Sequence, residues 1–133
     1  PDRQRLERIA PPNVRFVGHV PQPRLVELLQ RSKALITAAD EDLGLTPLEA
    51  QACGTPTIAL GTGGYIETVK SGVSGMFFDT VSPFDIIRAI ELFQRTPLAS
   101  PAQLREGMKA YSSECFRERF AAIVARTLKT HGR

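Results

Sequence analysis

The sequence has few of the residues that mark several common protein classes. Its 133 residues include no tryptophan and only two cysteines, Cys53 and Cys115, which stand in no CxxC or other metal-binding spacing. This excludes a disulfide-stabilised scaffold and favours a reducing, cytosolic environment. No apolar run approaches the roughly 18 residues of a membrane span, and no signal-peptide pattern is present. With 42% hydrophobic and 23% charged residues, the composition also excludes a disordered tail.

The length and the charge pattern describe one ordinary domain with an acidic middle. The formal charge is +3, too mild to indicate nucleic-acid binding. Residues 1–33 carry seven basic and three acidic groups, residues 34–96 carry three and eight, and residues 97–133 carry seven and three. The first residue is proline rather than methionine, which predicts a piece of a longer protein. The acidic middle is the feature that needs an explanation.

Short apolar runs alternate with amphipathic segments along the chain. The runs predict strands at residues 14–17, 34–38, 57–60 and 75–78. The segments between and after them predict six helices. One begins at residue 21, and the others lie at 46–53, 65–69, 82–94, about 101–110 and 113–130. Strands about 20 residues apart with a helix in each gap are typical of βα units in a parallel α/β sheet. Ligands bind outside the carboxyl ends of such strands.

The segment after the second predicted strand carries the strongest functional signal. Glu41 lies in a loop and Glu49 in the helix that follows, so both carboxylates can face one pocket. The amides of residues 43–46 lie at the start of that helix, where free N–H groups and the helix dipole favour an anion. Pro47 has no N–H to donate. Carboxylates accept hydrogen bonds from hydroxyl groups, and amides donate hydrogen bonds to a diphosphate. The arrangement therefore suits a sugar nucleotide.

Two simpler interpretations compete for the same residues. Thr46, Pro47 and Glu49 have the spacing of a capping box, with Thr46 at the N-cap, and local spacing alone favours this interpretation. Asp40 and Asp42 have the spacing of a short metal-binding motif, but no third ligand stands nearby. We therefore expect no metal.

The run EDLGLTPLEAQACGTP at residues 41–56 resembles the signature of a known enzyme family. The family pattern is E-x-F-G-x-x-x-x-E-A-x-A-x-G-x-P, followed by a strand, a Gly-Gly loop and a glutamate, here Gly63, Gly64 and Glu67. This pattern is that of the family-4 retaining glycosyltransferases, also called glycosyl transferases group 1. The resemblance covers residues 5–95 closely and the last helices loosely. It implies a Rossmann-like sheet with flanking helices, the partial C-terminal domain of a GT-B fold.

The resemblance implies a role for each matching residue. Glu41 would be the catalytic residue, facing the donor sugar, and Glu49 would accept hydrogen bonds from the ribose. The other donor-binding positions are the amides of Leu43 and Gly44 for sugar hydroxyls, Leu45 and Thr46 for phosphates, Gly18, His19 and Val20 near the base, and Gly63 and Gly64 for close backbone approach. A plain tight turn explains the two glycines equally well. Leu43 replaces the usual aromatic residue, and Thr37-Ala38 stands where the family often has Pro-Ser.

The resemblance also implies the protein's organisation and partners. Residues 1–133 would form most of one donor-nucleotide-binding domain, with βα units at 1–96 and C-terminal helices at 97–133. The donor would be a nucleotide sugar, and transfer would need no cofactor or metal. The acceptor-binding domain and a basic pair that clamps the diphosphate would lie upstream of residue 1, so we expect the chain to be inactive alone. The alternative is a non-catalytic α/β binding or interaction module.

The last predicted helix has an apolar face. Phe116, Phe120, Ile123 and Val124 recur at helical spacing, so an unpartnered face there predicts self-association. We expect a cytoplasmic protein without a nucleic-acid partner. A membrane-surface location would depend on regions outside this chain.

Overall fold

A computed structural model describes residues 2–131, and its centre is one parallel sheet. The strands are β1 (Leu35–Thr37), β2 (Thr57–Leu60) and β3 (Gly75–Phe78), in the spatial order β1-β2-β3. Leu35 stands opposite Thr57, which in turn stands opposite Gly75. The predicted α/β class with parallel strands is confirmed.

The described part of the chain contains seven α-helices, of which α3 and α5 pack on the strands. They are α1 (Asp2–Ile9), α2 (Gln22–Arg31), α3 (Leu45–Cys53), α4 (Tyr65–Thr68), α5 (Pro83–Arg95), α6 (Pro101–Met108) and α7 (Ser113–His131), with a 3-10 turn at Lys109–Tyr111. Six of them match predicted helices. The sequence pattern did not predict α1, because five of its eight residues are charged and none is buried. An ion pair supports this helix. Arg3 Nε and Glu7 Oε1 are 2.7 Å apart, and the two residues are one helical turn from each other.

The strand predicted at residues 14–17 is wrong. The segment is assigned no strand, and Val14 and Val17 are exposed. An extended segment becomes a strand only by pairing its backbone with a neighbour. Here the Arg3 guanidinium donates to the Phe16 carbonyl at 3.4 Å, so the segment lies against α1 rather than along the sheet.

Apolar burial on both faces holds the sheet together. Ile58 and Phe78 are buried with Ala89 of α5, and Leu60, Ile90 and Phe93 pack around them. Alternate residues of a strand point to opposite faces, so the fully buried Thr57 and Ala59 show that the second face is covered as well. This leaves the carboxyl edge of the sheet to its loops, which is where the candidate site lies.

The C-terminal helices divide into a packed part and an exposed part. Helix α6 packs on α3, and Arg105 donates to the Cys53 carbonyl at 3.3 Å. The apolar side chains of α7 are exposed, Phe116 to 65%, and the Phe116 and Phe120 rings stack with centroids 5.9 Å apart. Self-association through this face stays a prediction. Within residues 2–131, the structure contains no helix of the length and apolarity that crossing a bilayer requires.

Candidate functional site

Two loops meet at the carboxyl edge of β1 and β2. The acidic loop, residues 40–44, joins β1 to α3, and the glycine loop, residues 61–64, joins β2 to α4. The Gly64 N–H donates to the Glu41 carbonyl at 2.6 Å. Parallel pairing of β1 with β2 brings both loops to the same edge, as the strand pattern predicts.

Two of the three glycines in the glycine loop, Gly63 and Gly64, are required by this contact. A Cβ added to Gly63 would collide with the Glu41 carbonyl oxygen, and one added to Gly64 would lie 2.5 Å from the Asp42 carbonyl oxygen. Gly63 also has a φ of +55°, a conformation that other residues rarely adopt. Gly63 and Gly64 therefore allow another backbone segment to come close, and that segment is the acidic loop. Their contact with a ligand stays a prediction.

Helix α3 begins in a different way from the predicted capping box. Its N-cap is Gly44, with φ +71°, and no side chain caps the helix within the described structure. The acidic loop, docked on the glycine loop, enters the helix through a left-handed glycine, so the helix begins at Leu45 and Thr46 lies inside its first turn. The capping box of Thr46, Pro47 and Glu49 is therefore wrong.

This start leaves the N-terminus of α3 open. The side chains of Leu45 and Thr46 are exposed, while Pro47 is buried and lacks an N–H. The first amides of a helix have no acceptor within it, and here no acidic residue lies in the first turn. Such amides attract an anion through their N–H groups and through the helix dipole.

Replacing Thr46 with alanine should leave stability unchanged within about 0.5 kcal/mol, because this side chain caps nothing. The matched control is Ser100→Ala. Ser100 forms a true capping box with Gln103 at the start of α6, and its loss should cost about 1 kcal/mol. Urea unfolding of both variants measures the difference. A loss at Thr46 as large as that at Ser100 would restore the capping interpretation.

Glu49 lies on the exposed side of α3 and faces α2. Together with Cys53 it lines a cleft of about 320 Å³ whose α2 side includes Gln22 and Leu25. Residues 18–20 precede Pro21, the N-cap of α2, and do not line this cleft. Gly18 and His19 are exposed, Val20 is half-buried, and Gly18 lies beside Arg3. Within the described residues the Glu49 carboxylate has no hydrogen-bond or ion-pair partner.

Neither thiol nor metal chemistry has support at this site. Partial burial, and next the charge of Glu49, raise the pKa of the Cys53 thiol, so it remains protonated at neutral pH and is a poor nucleophile. Among the described residues, no group of three or more His, Cys, Asp and Glu side chains is placed to hold a metal ion. Independence from metals and cofactors stays a prediction.

The sequence profile of the glycosyl transferases group 1 matches residues 2–114. The chain belongs to this family. It is 40% identical over 76 residues to D-inositol 3-phosphate glycosyltransferase of Geodermatophilus obscurus, covering 56% of the chain and 17% of the relative. It is 34% identical over 85 residues to the protein of that name from Thermomonospora curvata, covering 63% and 20%. The chain thus spans about a fifth of the length of these relatives.

The structure therefore divides the site residues of this group 1 glycosyltransferase domain into two neighbouring sets. Glu41, Leu43 and Gly44 lie in the acidic loop against Gly63 and Gly64. The second set is Glu49, which lines the cleft between α2 and α3, while residues 18–20 stand before α2 and are not among the residues that line this cleft. Leu45 and Thr46 stand at the start of α3, between the acidic loop and Glu49. The roles of all these residues stay predictions.

Three residues that support the site, Tyr65, Thr37 and Gln51, were not predicted to do so. Tyr65 is buried beneath Gly44 and bonds Thr37, and Gln51 donates to both the Pro47 and the Thr68 carbonyls, at 3.1 and 2.9 Å. Except for Pro47, which is one helical turn before Gln51, their partners are distant in sequence and follow no spacing rule. The only signal in the sequence was Gln51, a polar residue inside the otherwise apolar face of the short helix α3.

Proposed function

We propose that the chain is the donor-binding part of a retaining glycosyltransferase that uses a nucleotide sugar. The observation that carries the proposal is the uncapped N-terminus of α3, flanked along the chain by two exposed carboxylates, Glu41 and Glu49. A capping role would have explained Glu49 without a ligand, and the structure removes that explanation. Family membership supports the same conclusion.

The proposed donor follows the order of these groups. The diphosphate lies against the amides of Leu45 and Thr46, where the helix dipole offsets its charge. Glu49 accepts hydrogen bonds from the ribose hydroxyls, which directs the base into the cleft toward residues 18–20. The sugar lies by the acidic loop, within reach of the amides of Leu43 and Gly44.

Catalysis in this proposal is electrostatic. The bond between the anomeric carbon and the diphosphate oxygen breaks, and an acceptor oxygen forms a new bond on the same face while its proton passes to the departing diphosphate oxygen. Glu41 stabilises the positive charge that develops on the sugar, and the α3 amides stabilise the departing diphosphate. No metal is needed. The acceptor site and further cations belong to other parts of a longer, cytoplasmic protein, so the isolated chain binds donor without transferring it.

Titration of the ¹⁵N-labelled chain with UDP-, GDP- and ADP-sugars tests the proposal. At millimolar ligand, amide shifts should cluster at residues 41–49 and 61–65, and one base should produce larger shifts than the others. Inorganic pyrophosphate should perturb Leu45 and Thr46 but leave residues 18–20 unchanged. Shifts from none of these ligands would contradict donor binding and favour an interaction module that has kept the fold.

A further inference from the structure

The acidic loop rests on a buried tyrosine that is tied to the sheet. Tyr65, the first residue of α4, is only 2% exposed. A Cβ added to Gly44 would lie 2.7 Å from Cδ1 of its ring, so the ring lies directly against the N-cap of α3. The Tyr65 hydroxyl and the Thr37 Oγ1 are 2.8 Å apart, and Thr37 is the last residue of β1.

This contact joins the end of a strand to the start of a helix. The acidic loop lies within the segment from Thr37 to Gly44, and the tyrosine bridges the two ends of this segment. A second tie lies behind the first, because the Thr68 hydroxyl donates to the Gly64 carbonyl at 3.1 Å while Gln51 links α3 to Thr68. The ring blocks inward collapse of the loop, and the hydroxyl fixes the position of the ring.

The hydrogen bond between the two hydroxyls also has a structural reason. A buried phenol needs a hydrogen-bond partner, because leaving it unsatisfied destabilises the fold. Thr37 supplies the only partner that the described structure gives to the Tyr65 hydroxyl.

We propose that Tyr65, through its hydrogen bond to Thr37, is a positioning residue that holds the acidic loop and the start of α3 in the form that binds the donor. The assignment rests on the proposed function. Tyr65 is buried, so it acts through the backbone of residues 41–45 and touches no ligand itself.

The first test needs no ligand. In the ¹⁵N-labelled chain, Tyr65→Phe and Thr37→Val should each speed hydrogen exchange at the Gly64 amide by about 3- to 10-fold, because this amide donates to the Glu41 carbonyl. Exchange at the Asp85 amide, which donates to Ser82 at the start of α5 and opens by local fraying, should stay unchanged. Thr37→Ser keeps the hydroxyl and should exchange as the wild type does. Equal acceleration at Gly64 and Asp85, or no change at Gly64, would overturn the proposal.

The second test separates positioning from mere stability. UDP, GDP and ADP are titrated in turn, and the best ligand should bind about 3- to 10-fold more weakly to Tyr65→Phe and Thr37→Val, with wild-type affinity restored in Thr37→Ser. The double variant Tyr65→Phe/Thr37→Val should be no worse than either single variant, because one bond is lost in each. Wild-type affinity in Tyr65→Phe overturns the role in binding. If the wild type binds none of the three, the proposed function fails, and the exchange experiment still decides whether Tyr65 holds the loop.

Discussion

Replacing Gly75 with alanine should cost more than about 3 kcal/mol, a large fraction of the free energy that keeps a domain of this size folded. Gly75 is the first residue of β3 and stands opposite Thr57 of the central strand. An added Cβ would collide with the Thr57 carbonyl oxygen and lie 2.8 Å from Cγ1 of Val69. Neither neighbour can yield easily, because Thr57 is held in the sheet on both sides and Val69 is buried. The strands must separate to admit the methyl group.

The chain offers a matched control in Gly107. This glycine lies in α6, and no atom stands within 4 Å of the position that a Cβ would take. Alanine is the better helix former, so Gly107→Ala should stabilise the chain by about 0.5 kcal/mol. Urea unfolding followed by circular dichroism measures both variants. If Gly75→Ala unfolds at the wild-type midpoint, the close approach of β3 to β2 described here is incorrect.

The periodic patterns predicted the elements well where local sequence decides them. Ser82, for example, accepts a hydrogen bond from the Asp85 amide at the start of α5, as the Ser-Pro pair predicts. Residues 14–17 show the limit, because β-branched residues favour an extended chain but do not supply a neighbouring strand. Whether such a segment becomes a strand is decided by pairing partners, which no window of local sequence contains.

The candidate site shows the same limit in its helix start. The spacing of Thr46, Pro47 and Glu49 satisfies the capping-box rule, yet α3 begins one residue before Thr46. The decision is made by contacts across the fold, in which Gly44 lies against Tyr65 and the acidic loop docks on Gly64. Sequence placed the two loops at one edge of the sheet correctly, because strand order alone determines that. Their detailed contacts depend on pairs of residues about 20 to 30 positions apart.

Changing Glu49 to glutamine should reduce nucleotide affinity, and transfer by a full-length protein, about 10- to 100-fold. A carboxylate accepts hydrogen bonds from two adjacent ribose hydroxyls, and an amide of the same shape offers one oxygen and a donor group in place of the second. The fold should be unaffected. Glu49 is exposed, caps no helix and has no side-chain partner in the described structure, so urea unfolding should agree with the wild type within about 0.5 kcal/mol.

The control for this change is Glu118→Gln. Glu118 is likewise an exposed glutamate inside a helix, and α7 carries it far along the chain from the cleft. Both variants lose one negative charge, so the effect of net charge on an anionic ligand is present in each and should slightly strengthen binding. Only at Glu49 should the loss of hydrogen bonds to the ribose outweigh that small gain in affinity. Equal behaviour of the two variants would mean that Glu49 makes no contact with the nucleotide, and its position beside the open start of α3 would then need another explanation.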